Sequence, residues 1–120
     1  MSEIKSFKDL IVWQKGMEVA ENSYYLTRSF PKEEAYGMIQ QIRRCAASIP
    51  ANIAEGYGRR SKADYARFLN IAQGSSNELQ THLILSVRVG LCDPKDIEPI
   101  ISLLQEENRM LVTLIQKLST

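Results

Sequence analysis

The chain has 120 residues, 44% of them hydrophobic and 24% charged, and a formal net charge of +1. Such a composition describes one ordinary globular domain over residues 1–120, long enough to bury roughly two-thirds of its unfolded surface. It excludes a membrane span, since apolar runs such as Leu111-Val112-Thr113-Leu114-Ile115 stop far short of ~20 residues, and so small a net charge recruits no polyanion by itself.

The start of the chain, Met1-Ser2-Glu3-Ile4-Lys5, carries early charge and lacks the apolar core of a secretion signal. The expected location is therefore cytoplasmic. Apolar residues then recur at steps of three and four along most of the sequence, which is the helical period. The first helix is predicted over about 8–29, with Ser6 and Asp9 as a capping box. One apolar row reads Leu10, Trp13, Met17, Ala20, Tyr24, and a neighbouring row reads Val12, Val19, Leu26. Two rows make a stripe wider than one partner helix needs, so part of this face is expected either to lie within a bundle or to meet another subunit.

Phe30-Pro31 ends that helix, and a second is predicted over about 33–57, opened by Glu33 and Glu34. Its core face is Met38, Ile42, Cys45, Ile49 and Ile53. Pro50 falls inside this pattern and is expected to kink the helix, because proline has no N–H to give the carbonyl of Ala46. Gly56 and Gly58 are expected to stop it as left-handed caps. Ser61 with Asp64 opens a third helix over about 62–90, carrying Tyr65, Phe68, Leu69, Ala72, Leu79, Leu83 and Val87 and ending at Gly90. Asp93-Pro94 opens the fourth, over about 94–118, with core residues Ile97, Ile100, Ile101, Leu104, Leu111, Ile115 and Leu118. Short turns between four long helices predict an all-α, antiparallel up-down-up-down four-helix bundle. Cys45 and Cys92 fall too far apart in this arrangement for a disulfide and are expected to be free thiols.

Polar residues also keep to the helical period. Gln41, Arg44, Ser48, Asn52 and Glu55 form one face of the second helix, and Arg67, Asn70, Gly74 and Glu78 form another on the third, with Ser75 beside it. An antiparallel hairpin turning near residue 59 places Arg44 near Ser75 and within reach of Glu78, and places Arg67 within reach of Glu55. Small Gly74 and Ser75 are expected to let the backbones approach. The plain reading is a structural polar network of Gln41, Arg44, Ser48, Asn52, Glu55, Ser75 and Glu78, since half-buried charges require partners.

No catalytic residue is assigned. Glu55 and Glu78 fall near opposite ends of the hairpin, so they do not form an acid–base pair. No metal or cofactor is expected either: the single histidine, His82, has only Glu78 at i, i+4, against the repeated Glu-x-x-His pattern of bundle metal sites. Between residues 43 and 67, however, six basic side chains (Arg43, Arg44, Arg59, Arg60, Lys62, Arg67) face only two acids, while 93–109 is locally acidic. With Tyr57 and Tyr65 nearby, the six are candidates for contacts to phosphates and unpaired bases.

The run Gln41-Ile42-Arg43-Arg44-Cys45-Ala46-Ala47-Ser48-Ile49-Pro50-Ala51-Asn52-Ile53-Ala54-Glu55-Gly56 resembles the core motif of the bacterial four-helix-bundle family encoded by intervening sequences in 23S ribosomal RNA genes. Asp9-Leu10-Ile11-Val12-Trp13-Gln14, Phe30-Pro31-Lys32-Glu33-Glu34 and the stretch from Phe68 to Leu79 fit the same family. The resemblance spans about residues 7–118. It implies an antiparallel bundle assembling as a ring-shaped homopentamer, similar to the strongly basic accessory protein of diversity-generating retroelements, which binds nucleic acid. Two functions are compatible with it. One is a non-enzymatic homopentamer contacting RNA or DNA through its basic patches. The other is an oligomeric scaffold or adaptor for protein partners, with no nucleic-acid role.

Overall fold

A computed structural model describes residues 3–119. Among the described residues there are four α-helices: α1 (Ile11–Thr27), α2 (Met38–Tyr57), α3 (Lys62–Arg88) and α4 (Pro94–Leu118). Each packs on two neighbours, α1 on α2 and α4, and α3 on α2 and α4. Contacts descend on one helix as they ascend on the next: Gly16 meets Ile49 and Pro50 while Thr27 meets Arg43, and Arg44 meets Glu78 while Ser48 meets Ser75, so α1 and α2, and α2 and α3, are antiparallel. This is the expected four-helix bundle.

The first two helices start later than their sequence signals. Ser6 and Asp9 do form a capping box, but the turn they open is a 3-10 turn over Phe7–Asp9, and Leu10 is extended before α1 begins. Lys32–Glu34 is likewise a short 3-10 turn, separated from α2 by Ala35, Tyr36 and Gly37. A cap satisfies orphan backbone donors in either helix type, so it marks a start without fixing the length or type of the helix it opens. The boundaries of α4 match the expectation, with Asp93 and Asp96 forming a capping box and Pro94 in the first turn.

The core is built from Val12, Val19, Ile42, Cys45, Ile49, Ile53, Leu69, Leu79, Leu83, Leu104 and Leu111, all essentially inaccessible. Burying each large aliphatic contributes about 1.5–3 kcal/mol. On α1 the inward row is Val12, Gly16, Val19, Ser23 and Thr27, whereas Met17 and Tyr24 of the other row are exposed. Hydropathy hides this row because Ser23 and Thr27 are polar. Inside the bundle their hydroxyls donate to the carbonyls of Val19 and Ser23, one turn back, which removes the cost of burying them.

Two glycine expectations are corrected. Gly58 caps α2 in a right-handed conformation, and Gly56 lies within the helix. A Cβ on Gly56 would stand 2.8 Å from Phe68 Cβ, so this glycine serves the close approach of α3 rather than a left-handed cap. Gly74 faces open space and allows no approach. The left-handed position is Gly90, with φ 82°, directly after α3. Pro50 sits inside α2 as expected, buried in the α1 interface beside Gly16.

Candidate nucleic-acid interface

The α2–α3 hairpin assembles much of the expected polar network. Arg44 Nη2 donates to Gln41 Oε1 at 2.8 Å and to Glu78 Oε2 at 2.9 Å. The Ser48 and Ser75 hydroxyls meet at 2.8 Å, and Asn52 Nδ2 donates to the Ser48 carbonyl and hydroxyl. Ser75 therefore faces Ser48, not Arg44: every pairing is displaced about one turn along α3 from the simple hairpin register. Helical side chains lean toward their own N-terminus. On α2 that is away from the turn and on α3 toward it, so contacting residues on α3 come from further along the chain.

Glu55 and Arg67 do not meet. Glu55 pairs with Arg59 in the turn just after its own helix, and Arg67 pairs with Asp64 at 3.0 Å. Asp64 also attracts Arg59 at 3.9 Å, and both guanidiniums lie over the Phe68 ring, at 4.7 and 4.4 Å from its centroid. Tyr57 and Tyr65 meet edge to face at 6.1 Å, and burial pushes the half-buried Tyr65 phenol above its usual pKa. The turn is thus an ordered aromatic–arginine cluster.

The six candidate cations divide accordingly. Arg43 ties α2 to α1, donating from Nε to Thr27 Oγ1 at 2.9 Å with its guanidinium 4.6 Å above the Tyr24 ring. Arg44, Arg59 and Arg67 have acidic partners. Arg60 and Lys62 are exposed and have neither an ion pair nor a side-chain hydrogen bond. Glu55 and Glu78, each held by an arginine and far apart on the hairpin, are not arranged for joint acid–base work.

The residue that sequence reasoning missed is Glu107. It is fully buried on α4, and neither carboxylate oxygen has a partner. Desolvation pushes its pKa up to about 8, with the Lys15 charge pulling the other way, so at neutral pH it is largely uncharged and the 93–109 segment is less acidic than its composition. A signal was present: the core row of α4 skips from Leu104 to Leu111, and position 107 fills the three-residue step. On α1, Gly16 lies opposite: a Cβ there would stand 2.7 Å from Glu107 Oε2, so a larger residue would require the carboxyl end to shift.

The fold and this hairpin define a small helical-bundle protein with a polar seam between two helices and basic groups at one turn. No helix among the described residues is long and apolar enough to cross a membrane. The family model of the 23S rRNA-intervening sequence protein matches residues 8–113, and the chain belongs to that family. Among solved structures, it is similar to a protein of unknown function from the S23 ribosomal protein family of Bacteroides thetaiotaomicron. The two are 30% identical over 88% of this chain and 98% of the other, with a TM-score of 0.78. No curated protein matches the sequence.

Proposed function

We propose that this protein works as a non-enzymatic homo-oligomer, on the family resemblance a pentamer, whose subunits meet through the outer faces of α1 and α2. The observation that carries this reading is a groove of about 300 Å³ lined by Trp13, Met17 and Ala20 of α1 and by Ala47, Pro50 and Ala54 of α2. Its lining is almost wholly apolar. Beside it, Tyr24 and Tyr25 are 41% and 57% exposed. Together they form an apolar face of the kind that association between subunits covers. Light scattering across a dilution series tests it, with Ala47→Glu placing a charge in the groove. A concentration-dependent assembly that Ala47→Glu dissociates supports the reading; a wild-type monomer at every concentration refutes it.

The second reading adds RNA or DNA as the ligand of the assembled basic turns. Arg60 and Lys62, without acidic partners, are the principal phosphate contacts, and Arg43, Arg44, Arg59 and Arg67 supply the surrounding positive field. Each subunit of a ring contributes the same patch. Fluorescence anisotropy with labelled structured RNA and duplex DNA at two salt concentrations measures this, with Arg60→Glu/Lys62→Glu as the control. Binding that weakens with salt and disappears in the variant supports it. An intact assembly that binds neither nucleic acid leaves the scaffold for protein partners.

A further inference from the structure

The polar seam holds one cluster that the paired network does not exhaust. The ligand-capable atoms of Cys45, Glu78 and His82 lie within 4.8 Å of one another. Glu78 and His82 are one turn apart on α3, with Oε2 and Nε2 3.6 Å apart, and Cys45 enters from α2. His82 is the sole histidine of the chain. Its Nδ1 is buried with no hydrogen-bond partner, and its Nε2 has only the 3.6 Å contact to Glu78, so the ring is not held by a full hydrogen bond at either nitrogen. Cys45 is 1% exposed, while Glu78 is 44% exposed and opens the cluster to solvent.

We propose that Cys45, Glu78 and His82 form a binding site for a divalent transition-metal ion of the zinc type, with water as the fourth ligand. The donor set decides the class of ion. Sulfur and imidazole nitrogen favour zinc or cobalt over magnesium or calcium, which take oxygen ligands. Three protein ligands and one open position are a common zinc arrangement, and bonds of about 2.0–2.3 Å put tetrahedral ligands roughly 3.3–3.8 Å apart. The observed cluster reaches that span by small side-chain rotations. An i, i+4 pair on one helix presents two ligands to one ion. On binding, the Sγ–H bond of Cys45 breaks, its proton passes to water, and a thiolate electron pair binds the metal as aqua ligands leave. Arg44, which donates to Glu78 Oε2 and is steadied by Gln41, then holds the ligating carboxylate from outside, as hydrogen-bond donors commonly do around metal ligands.

The position also accounts for its invisibility in the sequence. Cys45 is on another helix from the Glu78–His82 pair, and only the one-turn displacement of the hairpin register brings it there.

The test is titration of chelator-treated full-length protein with Co²⁺ as the probe, then with Zn²⁺. The expected result is one Co²⁺ per chain, with a thiolate-to-cobalt charge-transfer band and tetrahedral ligand-field bands, all displaced by stoichiometric Zn²⁺. Cys45→Ser removes the charge-transfer band. His82→Gln keeps a folded bundle by circular dichroism and weakens Co²⁺ affinity by roughly tenfold or more, and Cys92→Ser changes nothing. No charge-transfer band with excess Co²⁺, or a band that survives Cys45→Ser, or an affinity unchanged by His82→Gln, overturns the proposal.

Discussion

Glu107 makes stability depend on pH in a direction opposite to that of an ordinary ion-paired carboxylate. Its carboxyl is sealed between α4 and α1 and has no hydrogen-bond partner. The neighbouring amine, Lys15 Nζ, is taken at 2.8 Å by the exposed Glu106. In the unfolded chain Glu107 loses its proton from pH 4.5 upward, while in the folded chain it holds the proton until about 8. A folded pKa raised for an acid means that the unfolded state is favoured as pH rises through this window. Stability is full below 4.5, falls across the interval and levels off above 8. Each pH unit costs about 1.4 kcal/mol, so the whole interval amounts to roughly 5 kcal/mol, with about 3 kcal/mol already lost at pH 7. These are upper values, because water admitted on ionisation offsets part of the desolvation. Against a typical stability of about 5–15 kcal/mol, the term is large. Replacing Glu107 with glutamine keeps the shape and removes the titration. Urea unfolding of both proteins at fixed concentration, from about pH 4.5 to 9, reads the difference directly, since every other group is common to both. The Glu107→Gln protein should gain on wild type by up to about 1.4 kcal/mol per pH unit until about pH 8 and then run parallel to it. Curves parallel at every pH would refute the argument.

Other substitutions probe the packing. Gly56→Ala should destabilise by about 1–3 kcal/mol, because the clash with Phe68 outweighs a helix-propensity gain of ~1 kcal/mol; Gly74→Ala, facing open space, should stabilise by up to ~1 kcal/mol, and urea midpoints measure both. Ser48→Ala leaves the Ser75 hydroxyl without its partner, whereas Ser75→Ala leaves the Ser48 hydroxyl still accepting from Asn52; a double-mutant cycle should show a coupling of about 0.5–1.5 kcal/mol, and zero coupling would deny the hydrogen bond. Pro50→Ala restores an N–H toward the Ala46 carbonyl and removes a ring from the α1–α2 groove. The expected outcome is a changed assembly mass by light scattering; unchanged mass and stability would show that the proline is merely tolerated.

The architecture was legible because helical period, caps and short turns all point the same way. The rows Ile42–Cys45–Ile49–Ile53 and Ile97–Ile100–Leu104–Leu111 repeat at the helical step, and Asp93-Pro94 starts α4 where its chemistry says. The Arg44–Glu78 pair was also readable, since long side chains tolerate a register error of a turn. Those features are local, or forgiving of small displacements. What tertiary structure decided is what depends on distances of an ångström or two between helices. It turned Ser23 and Thr27 inward, set Gly56 against Phe68 and Gly16 against Glu107, and moved Ser75 from beside Arg44 to face Ser48. It gave Asp64 to Arg67, leaving Arg60 and Lys62 without acidic partners. It also drew Cys45 beside Glu78 and His82. A sequence carries the period of each helix, but the lean of side chains and the close approach of helices exist only once two helices are packed, and these set which polar groups pair, which stay buried alone and which remain open to a ligand.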